Sequence, residues 1–268
     1  MTSDVKVCVI PAAGKGSRWA PVSGYLPKEM LPLVERPVIE WVVSEAAAGG
    51  FKEVIIVLNK QKNAIKKYLQ KNVEVNKKVK LSFVYQEKPL GIAHALFILR
   101  HIIGDRPFGM ALPDLPTISR KPVIGQLVKA FQSLGGKAHI TSFNIFPENC
   151  RHFYSECLLE KYEKKQLLKL IHFCPKTKNS QKPHHPLNKL RMSGRYVFNP
   201  SIFKSLENLM ENAVNSEITD VDGLKAVMKD NQEVVGFAIE GHTYDTGNPA
   251  SYIRANTAFF KKRLAKNS

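Results

Sequence analysis

Cysteine is scarce in this chain: four in 268 residues, Cys8, Cys150, Cys157 and Cys174. None stands in CxxC spacing or beside a paired histidine, which excludes a zinc ribbon or finger, and with no secretory leader expected the thiols should be reduced and mostly buried. Long apolar runs are missing too. Val5 to Ala13 breaks at Gly14, well short of the roughly 20 residues that a membrane span requires, and no later run reaches that length. These absences point to a soluble cytoplasmic protein with no membrane partner. Acidic side chains are the minority, 23 Asp and Glu against 40 Lys and Arg, for a formal charge of +17. Such an excess suits a polyanion, whether nucleic acid, an anionic surface or a phosphorylated small molecule. Internal repeats and low-complexity tracts are also absent.

What is present is globular, since 44% hydrophobic and 24% charged residues are too apolar a mix for a disordered chain. At this length roughly 75% of the unfolded surface can be buried, so no staple is needed. Runs rich in Val and Ile alternate with segments of helical period, the pattern of βαβ units and a largely parallel sheet. The strands expected are Val5–Pro11, Val54–Leu58, Leu81–Tyr85, Phe108–Leu112 and Ala138–Phe146. Between them fall helices at Val38–Ala48, closed by Gly49-Gly50, and at Ala64–Leu69, Ile92–Ile103 and Val123–Leu134. The rhythm then changes to a hairpin, Tyr154–Leu159 with Leu167–Phe173, and a polar loop from Pro175 to Met192. After it come a short strand at Tyr196–Phe198, helices at Ser201–Met210 and Val221–Met228, a strand at Val234–Ile239 and a basic helix from Ala250.

The first strand runs into Ala12-Ala13-Gly14-Lys15-Gly16-Ser17-Arg18. Glycines at the carboxyl end of a parallel strand let backbone N–H groups approach phosphate oxygens, and Arg18 adds a charged donor fork. A Walker loop is excluded, because Gly16 rather than Ser or Thr follows Lys15. A dinucleotide fingerprint is excluded because its third glycine would fall on Trp19.

The loop continues through Arg18-Trp19-Ala20-Pro21 to Leu26-Pro27-Lys28-Glu29-Met30-Leu31-Pro32. Together these closely resemble the signature of sugar-1-phosphate nucleotidylyltransferases, in the form found in bacterial UTP:glucose-1-phosphate uridylyltransferases. Matches recur in family order over nearly the whole chain: Gln86 with Pro89-Leu90-Gly91-Ile92-Ala93-His94-Ala95, Leu112-Pro113-Asp114, Gly194-Arg195-Tyr196, Glu217-Ile218-Thr219-Asp220 and Tyr244-Asp245-Thr246-Gly247. The resemblance implies an α/β, Rossmann-like three-layer nucleotide-diphospho-sugar transferase fold with a mixed, mostly parallel sheet. It would form a single domain over residues 1–268, with a hairpin and loop insertion at about 147–192.

The same resemblance implies an enzyme that transfers a nucleotidyl group from a pyrimidine nucleoside triphosphate, UTP favoured, to a sugar-1-phosphate, glucose-1-phosphate favoured. Pyrophosphate leaves, and no covalent nucleophile is required. Arg18, Lys28 and Lys182 would be catalytic. Ala13, Gly14, Gly16, Ser17, Gln86, Gly91, Gly194 and Glu217 would bind substrate, with Gln86 on the pyrimidine edge. Asp114 and Asp245 would hold Mg²⁺. A thymidylyltransferase and a catalytically silent NDP-sugar-binding homologue are the alternatives. No motif supports nucleic-acid binding, and the oligomeric state is left open.

Other residues have plainer readings. His94 lies on an apolar helix face and reads as packing, His184-His185 as solvated loop, and the lysines at 60, 62, 66, 67, 71, 77, 78 and 80 as a solvated helix face. The C-terminal Phe259-Phe260-Lys261-Lys262-Arg263 reads as a helix docked through its aromatics. In one place the chain departs from the family, which carries Glu-Lys-Pro at the end of the insertion strand. Alignment from the strand gives Phe173-Cys174-Pro175, with Lys176 the nearest cation, whereas spacing to Gly194 gives Gln181-Lys182-Pro183. The second is favoured because a dianionic sugar phosphate needs a counter-charge.

Overall fold

Four apolar runs, Val7–Pro11 (β1), Glu53–Leu58 (β2), Lys80–Tyr85 (β3) and Phe108–Ala111 (β4), pair in parallel in the order β3-β2-β1-β4. The computed structural model describes residues 4–146, 155–162, 166–174, 186–211 and 217–267. Continuous apolar runs form the central strands because both faces of the sheet are covered. Cys8 and Ile10 of β1 face one core, with helices Val38–Ala48 (α1), Asn63–Lys71 (α2) and Val123–Ser133, whereas Val7 and Val9 face the other. That second core includes Ala93 and Leu96 of Ile92–Phe97 (α3), and the helix at 123–133 is therefore α4. Helices Ile202–Glu211 (α5) and Asp220–Lys229 (α6) complete the second layer through Leu206, Leu224 and Val227. The three-layer architecture expected is present.

The sheet continues through His139–Ile145 (β5), Cys157–Lys161 (β6), Leu167–Phe173 (β7), Leu190–Phe198 (β8) and Val234–Ala238 (β9), in the full order β3-β2-β1-β4-β8-β5-β9-β7-β6. It is mixed, as expected, but not mostly parallel. Strand β8 runs against both β4 and β5, and the β6-β7 hairpin runs antiparallel onto β9, so among the described residues antiparallel pairings of this sheet match the parallel ones in number. The hairpin is thus the edge of the main sheet, with Leu167 opposite Phe237 and Leu168 opposite Gly236.

Strand β8 corrects the sequence reading, which placed a loop through Met192. The strand begins at Leu190, and its polar residues Arg191, Ser193 and Arg195 are buried at 3%, 0% and 0% exposure. Each has a partner that makes burial tolerable. Ser193 Oγ donates to Ser142 Oγ at 2.7 Å, Arg191 lies 3.5 Å from Glu156, and Arg195 Nη2 meets Glu45 Oε2 at 2.8 Å. The helix expected at Ile92–Ile103 is broken, ending at Phe97 and resuming at Arg100. Cys8 and Cys157 are buried free thiols and Cys174 is partly exposed, while Cys150 lies outside the described residues.

The C-terminal helix Pro249–Asn267 (α7) docks through Phe259, edge-on to Trp41 at 4.9 Å. Phe260, expected to share that role, points to solvent. Among the described residues no helix is long and apolar enough to cross a membrane.

Candidate active site

The parallel strands β1, β2, β3 and β4 all end on the same side of the sheet, and the segments that follow β1, β3 and β4 line one cleft of about 950 Å³. Ligands of open α/β sheets bind outside these carboxyl ends. After β1 comes the glycine-rich loop, which runs through short 3₁₀ turns at Ser17–Trp19 and Val22–Gly24. Ala13, Gly14, Gly16, Ser17 and Arg18 all line the cleft. Two contacts fix the loop. Asn59 Nδ2, after β2, donates to Ala13 O at 2.7 Å, and Trp19 Nε1 donates to Thr246 O at 2.9 Å.

Lys28 and Asp114 meet on the cleft wall at 2.5 Å, each side chain about 14% exposed. Burial works against both charges, but the pair outweighs it: Asp114 holds the Lys28 pKa above 10.5, and Lys28 with Arg18 holds Asp114 below 3.8. Asp245 behaves oppositely. Burial raises its pKa and the neighbouring Asp114 charge raises it further, against the hydrogen bond from Gly247 N at 2.6 Å. A Cβ on Gly247 would lie 2.8 Å from Asp245 Oδ1, 3.0 Å from Asp114 Oδ2 and 3.0 Å from Arg18 Nη2. The two carboxylates and the guanidinium therefore converge around one point. Thr246 N and Oγ1 both donate to Asp114 O at 2.9 Å and join the two aspartate turns.

The Asp114 turn is braced from beneath by Arg195, whose guanidinium donates to Leu115 O at 2.7 Å, Leu112 O at 3.4 Å and the Glu45 carboxylate. Burial opposes ionisation of Glu45, yet Arg195 keeps its pKa below 4.5. Gly194 precedes Arg195 at φ +73°, and a Cβ there would stand 2.4 Å from Leu115 Cδ1, so the strand passes close beneath this turn only as glycine.

Gln86 follows β3, is 4% exposed and lines the cleft beside Gly91. The Leu90-Gly91 segment is joined to the segment carrying Glu217, since Ile218 N donates to Leu90 O at 2.9 Å and Ala93 N to Ile218 O at 3.1 Å. Glu217 is exposed on the cleft rim. Every sequence-expected site residue that is described thus borders the same cleft. Lys182, with Lys176 and His184-His185, lies outside the described residues; Phe173 and Cys174, at the end of β7, line the cleft.

The solvated reading of the lysines fails at Lys62. It is 5% exposed, and its Nζ donates to both oxygens of Glu29 at 2.8 Å, with Glu29 1% exposed and on the cleft wall. Burial lowers the Lys62 pKa, and the Glu29 charge opposes that shift. Position could have flagged it, because Lys62 lies in the turn after a central parallel strand rather than on the following helix. Asp220, read in the sequence with Glu217 as one acidic segment, is also a cleft residue. It accepts from Tyr196 Oη, and burial raises its pKa.

The family described as nucleotidyl transferase matches the chain over residues 7–262. This chain belongs to the nucleotidyl transferase family. Curated relatives of this nucleotidyl transferase include the UTP–glucose-1-phosphate uridylyltransferase of Staphylococcus epidermidis, 32% identical over 282 residues and covering 96% of this chain and 93% of that protein. The enzyme of the same name from Staphylococcus haemolyticus is 30% identical, with the same coverage. A crystal structure of UDP-glucose pyrophosphorylase complexed with UDP-glucose superposes with a TM-score of 0.83 at 27% identity, covering 97% of this nucleotidyl transferase and 100% of that chain.

Proposed function

We propose that the chain transfers the uridylyl group of UTP to glucose-1-phosphate, releasing pyrophosphate and forming UDP-glucose. The observation that carries this reading is the convergence of Arg18, Asp114 and Asp245 beside the Lys28 ammonium, in the same cleft as the glycine-rich loop and the Gln86-Gly91 segment. Relatives named for that reaction, 32% and 30% identical to the chain, support the choice of substrates.

Two anions must meet in this reaction. A phosphate oxygen of the sugar-1-phosphate attacks the α-phosphorus, a P–O bond forms, and the bond to the bridging oxygen breaks with its electron pair leaving on pyrophosphate. The chain's part is to neutralise repulsion and hold the groups in line. Loop amides from Ala13 to Ser17 and the Arg18 fork receive the triphosphate. Lys28, kept protonated by Asp114, can turn from that carboxylate to phosphate oxygen. Glu217 faces the sugar hydroxyls, and Lys182 is assigned the sugar's phosphate.

Asp114 and Asp245 suit Mg²⁺. Among the described residues no group of three or more His, Cys, Asp or Glu gathers into a protein cage. Two buried, mutually repelling carboxylates are the donor set of a cation that completes its shell with phosphate oxygens and water. Bound there, Mg²⁺ would supply charge neutralisation for the triphosphate and the leaving pyrophosphate.

The test is pyrophosphate release from purified protein across UTP, dTTP, CTP, ATP and GTP, each with several sugar-1-phosphates. UTP with glucose-1-phosphate should be the fastest pair. Equal turnover of ATP and UTP would end this reading, because a site that hydrogen-bonds one base leaves groups unpaired with another.

A further inference from the structure

His94 has a polar partner that its place on an apolar helix face does not announce. The side-chain nitrogen of Gln86 donates to Gly91 O at 3.0 Å and lies 2.8 Å from His94 Nδ1. A backbone carbonyl only accepts, so the end of the Gln86 amide that faces Gly91 is its NH₂ group. One of the two N–H bonds goes to that carbonyl. The other meets Nδ1, which must then carry a lone pair, leaving the imidazole neutral with its proton on Nε2. Burial of His94, which lowers its pKa below 6.5, favours that neutral form.

Both donors of Gln86 are thus used within the protein. Its remaining polar atom is Oε1, which receives no hydrogen bond from any described residue, and Gln86 lines the cleft. The site therefore presents an acceptor, not a donor, to a bound base. Uracil and thymine carry a hydrogen on N3 and can donate to it. Cytosine has a bare N3 that only accepts, and two acceptors face to face repel.

We infer that His94 is a positioning residue for base selection: by accepting the second N–H of Gln86 it locks the amide oxygen toward the nucleotide and favours uracil or thymine over cytosine. Gly91 O and His94 Nδ1 act together here. Without Nδ1, Gly91 O alone opposes the rotation about the last torsion that would offer NH₂ to the base. This inference rests on the proposed use of a pyrimidine triphosphate and adds which atom of the chain sets the pyrimidine.

The experiment measures UTP and CTP affinity by calorimetry, and kcat/KM for both in pyrophosphate release, for wild type, His94→Ala and His94→Asn. His94→Ala should reduce the UTP-to-CTP preference about tenfold, the worth of one net hydrogen bond. The loss should sit in KM, with kcat within about twofold of wild type, because His94 touches neither phosphate nor metal carboxylate. His94→Asn, whose Oδ1 accepts where Nδ1 did, should restore most of the preference. His94→Leu replaces the alanine variant if that one does not fold. An unchanged preference in a folded His94→Ala or His94→Leu protein, or His94→Asn behaving like alanine, overturns the inference. Binding of UTP over CTP without turnover on any sugar-1-phosphate would instead overturn the proposed reaction and leave the calorimetric test of His94 intact.

Discussion

Gly91→Ala places a methyl group where the backbone of another segment already stands. Gly91 has φ +93° and ψ −176°, a region that essentially only glycine adopts, and a Cβ there would lie 2.2 Å from Ile218 O and 2.6 Å from Ile218 N. Both obstructing atoms are backbone, so no rotamer change relieves the contact. Holding alanine in that conformation costs about 1–3 kcal/mol. Parting the segments also breaks the bonds from Ile218 N to Leu90 O and from Ala93 N to Ile218 O, each worth about 0.5–1.5 kcal/mol net. The sum is about 2–6 kcal/mol, part of which local opening of the seam will absorb. Because Gly91 O also holds the Gln86 amide, UTP affinity should fall about tenfold or more along with stability. Urea unfolding at 25 °C and calorimetric UTP titration read the two effects separately. A variant within about 0.5 kcal/mol of wild type that binds UTP normally would refute the claim that this seam shapes the base site.

Asp114→Asn and Asp245→Asn should each lower kcat about 10²–10³-fold, and the double variant little further, since groups acting as a unit are non-additive; near-normal turnover of Asp245→Asn in limiting Mg²⁺ would contradict the metal assignment. Lys62→Met leaves the Glu29 carboxylate buried without its partner and should cost about 3–5 kcal/mol in urea unfolding, largely recovered by adding Glu29→Gln; an unchanged midpoint for the single variant would contradict it. His139 is buried, which depresses its pKa from 6.5 to about 4, and its Nδ1 has no partner among the described residues. The unfolded chain therefore takes up a proton below pH 6.5 that the fold refuses, so stability present above that pH is lost as it falls toward 4. The loss is about 3 kcal/mol at 1.36 kcal/mol per unit. His139→Gln should flatten that slope in unfolding measured from pH 7 to 4.5, and an identical slope would contradict it.

The first half of the fold was legible because β1, β2 and β4 are buried on both faces and read as short apolar runs between turn signals. The cleft was legible for a related reason: its residues sit in the turns after β1, β3 and β4, where Gly14, Gln86 and Asp114 interrupt apolar sequence. Strand β8 was hidden. Arg191, Ser193 and Arg195 look solvent-facing in a pattern of apolar and polar residues, yet Glu156, Ser142 and Glu45 satisfy them inside the sheet. Those partners lie far away in sequence, and no local period reports them. Lys62 misled in the same way, since its partner Glu29 is 33 residues away. The insertion of β8 between β4 and β5, which turns the sheet from parallel to mixed, is likewise set by long-range pairing.

The most direct test of the central claim is phosphorus NMR of one mixture: the purified protein, UTP, glucose-1-phosphate and Mg²⁺. The account predicts that the triphosphate and sugar-phosphate signals decline together while UDP-glucose and pyrophosphate appear in equal amounts, and that added pyrophosphate reverses the change. Release of UDP with inorganic phosphate, or a spectrum that stays unchanged although UTP binds, would contradict it.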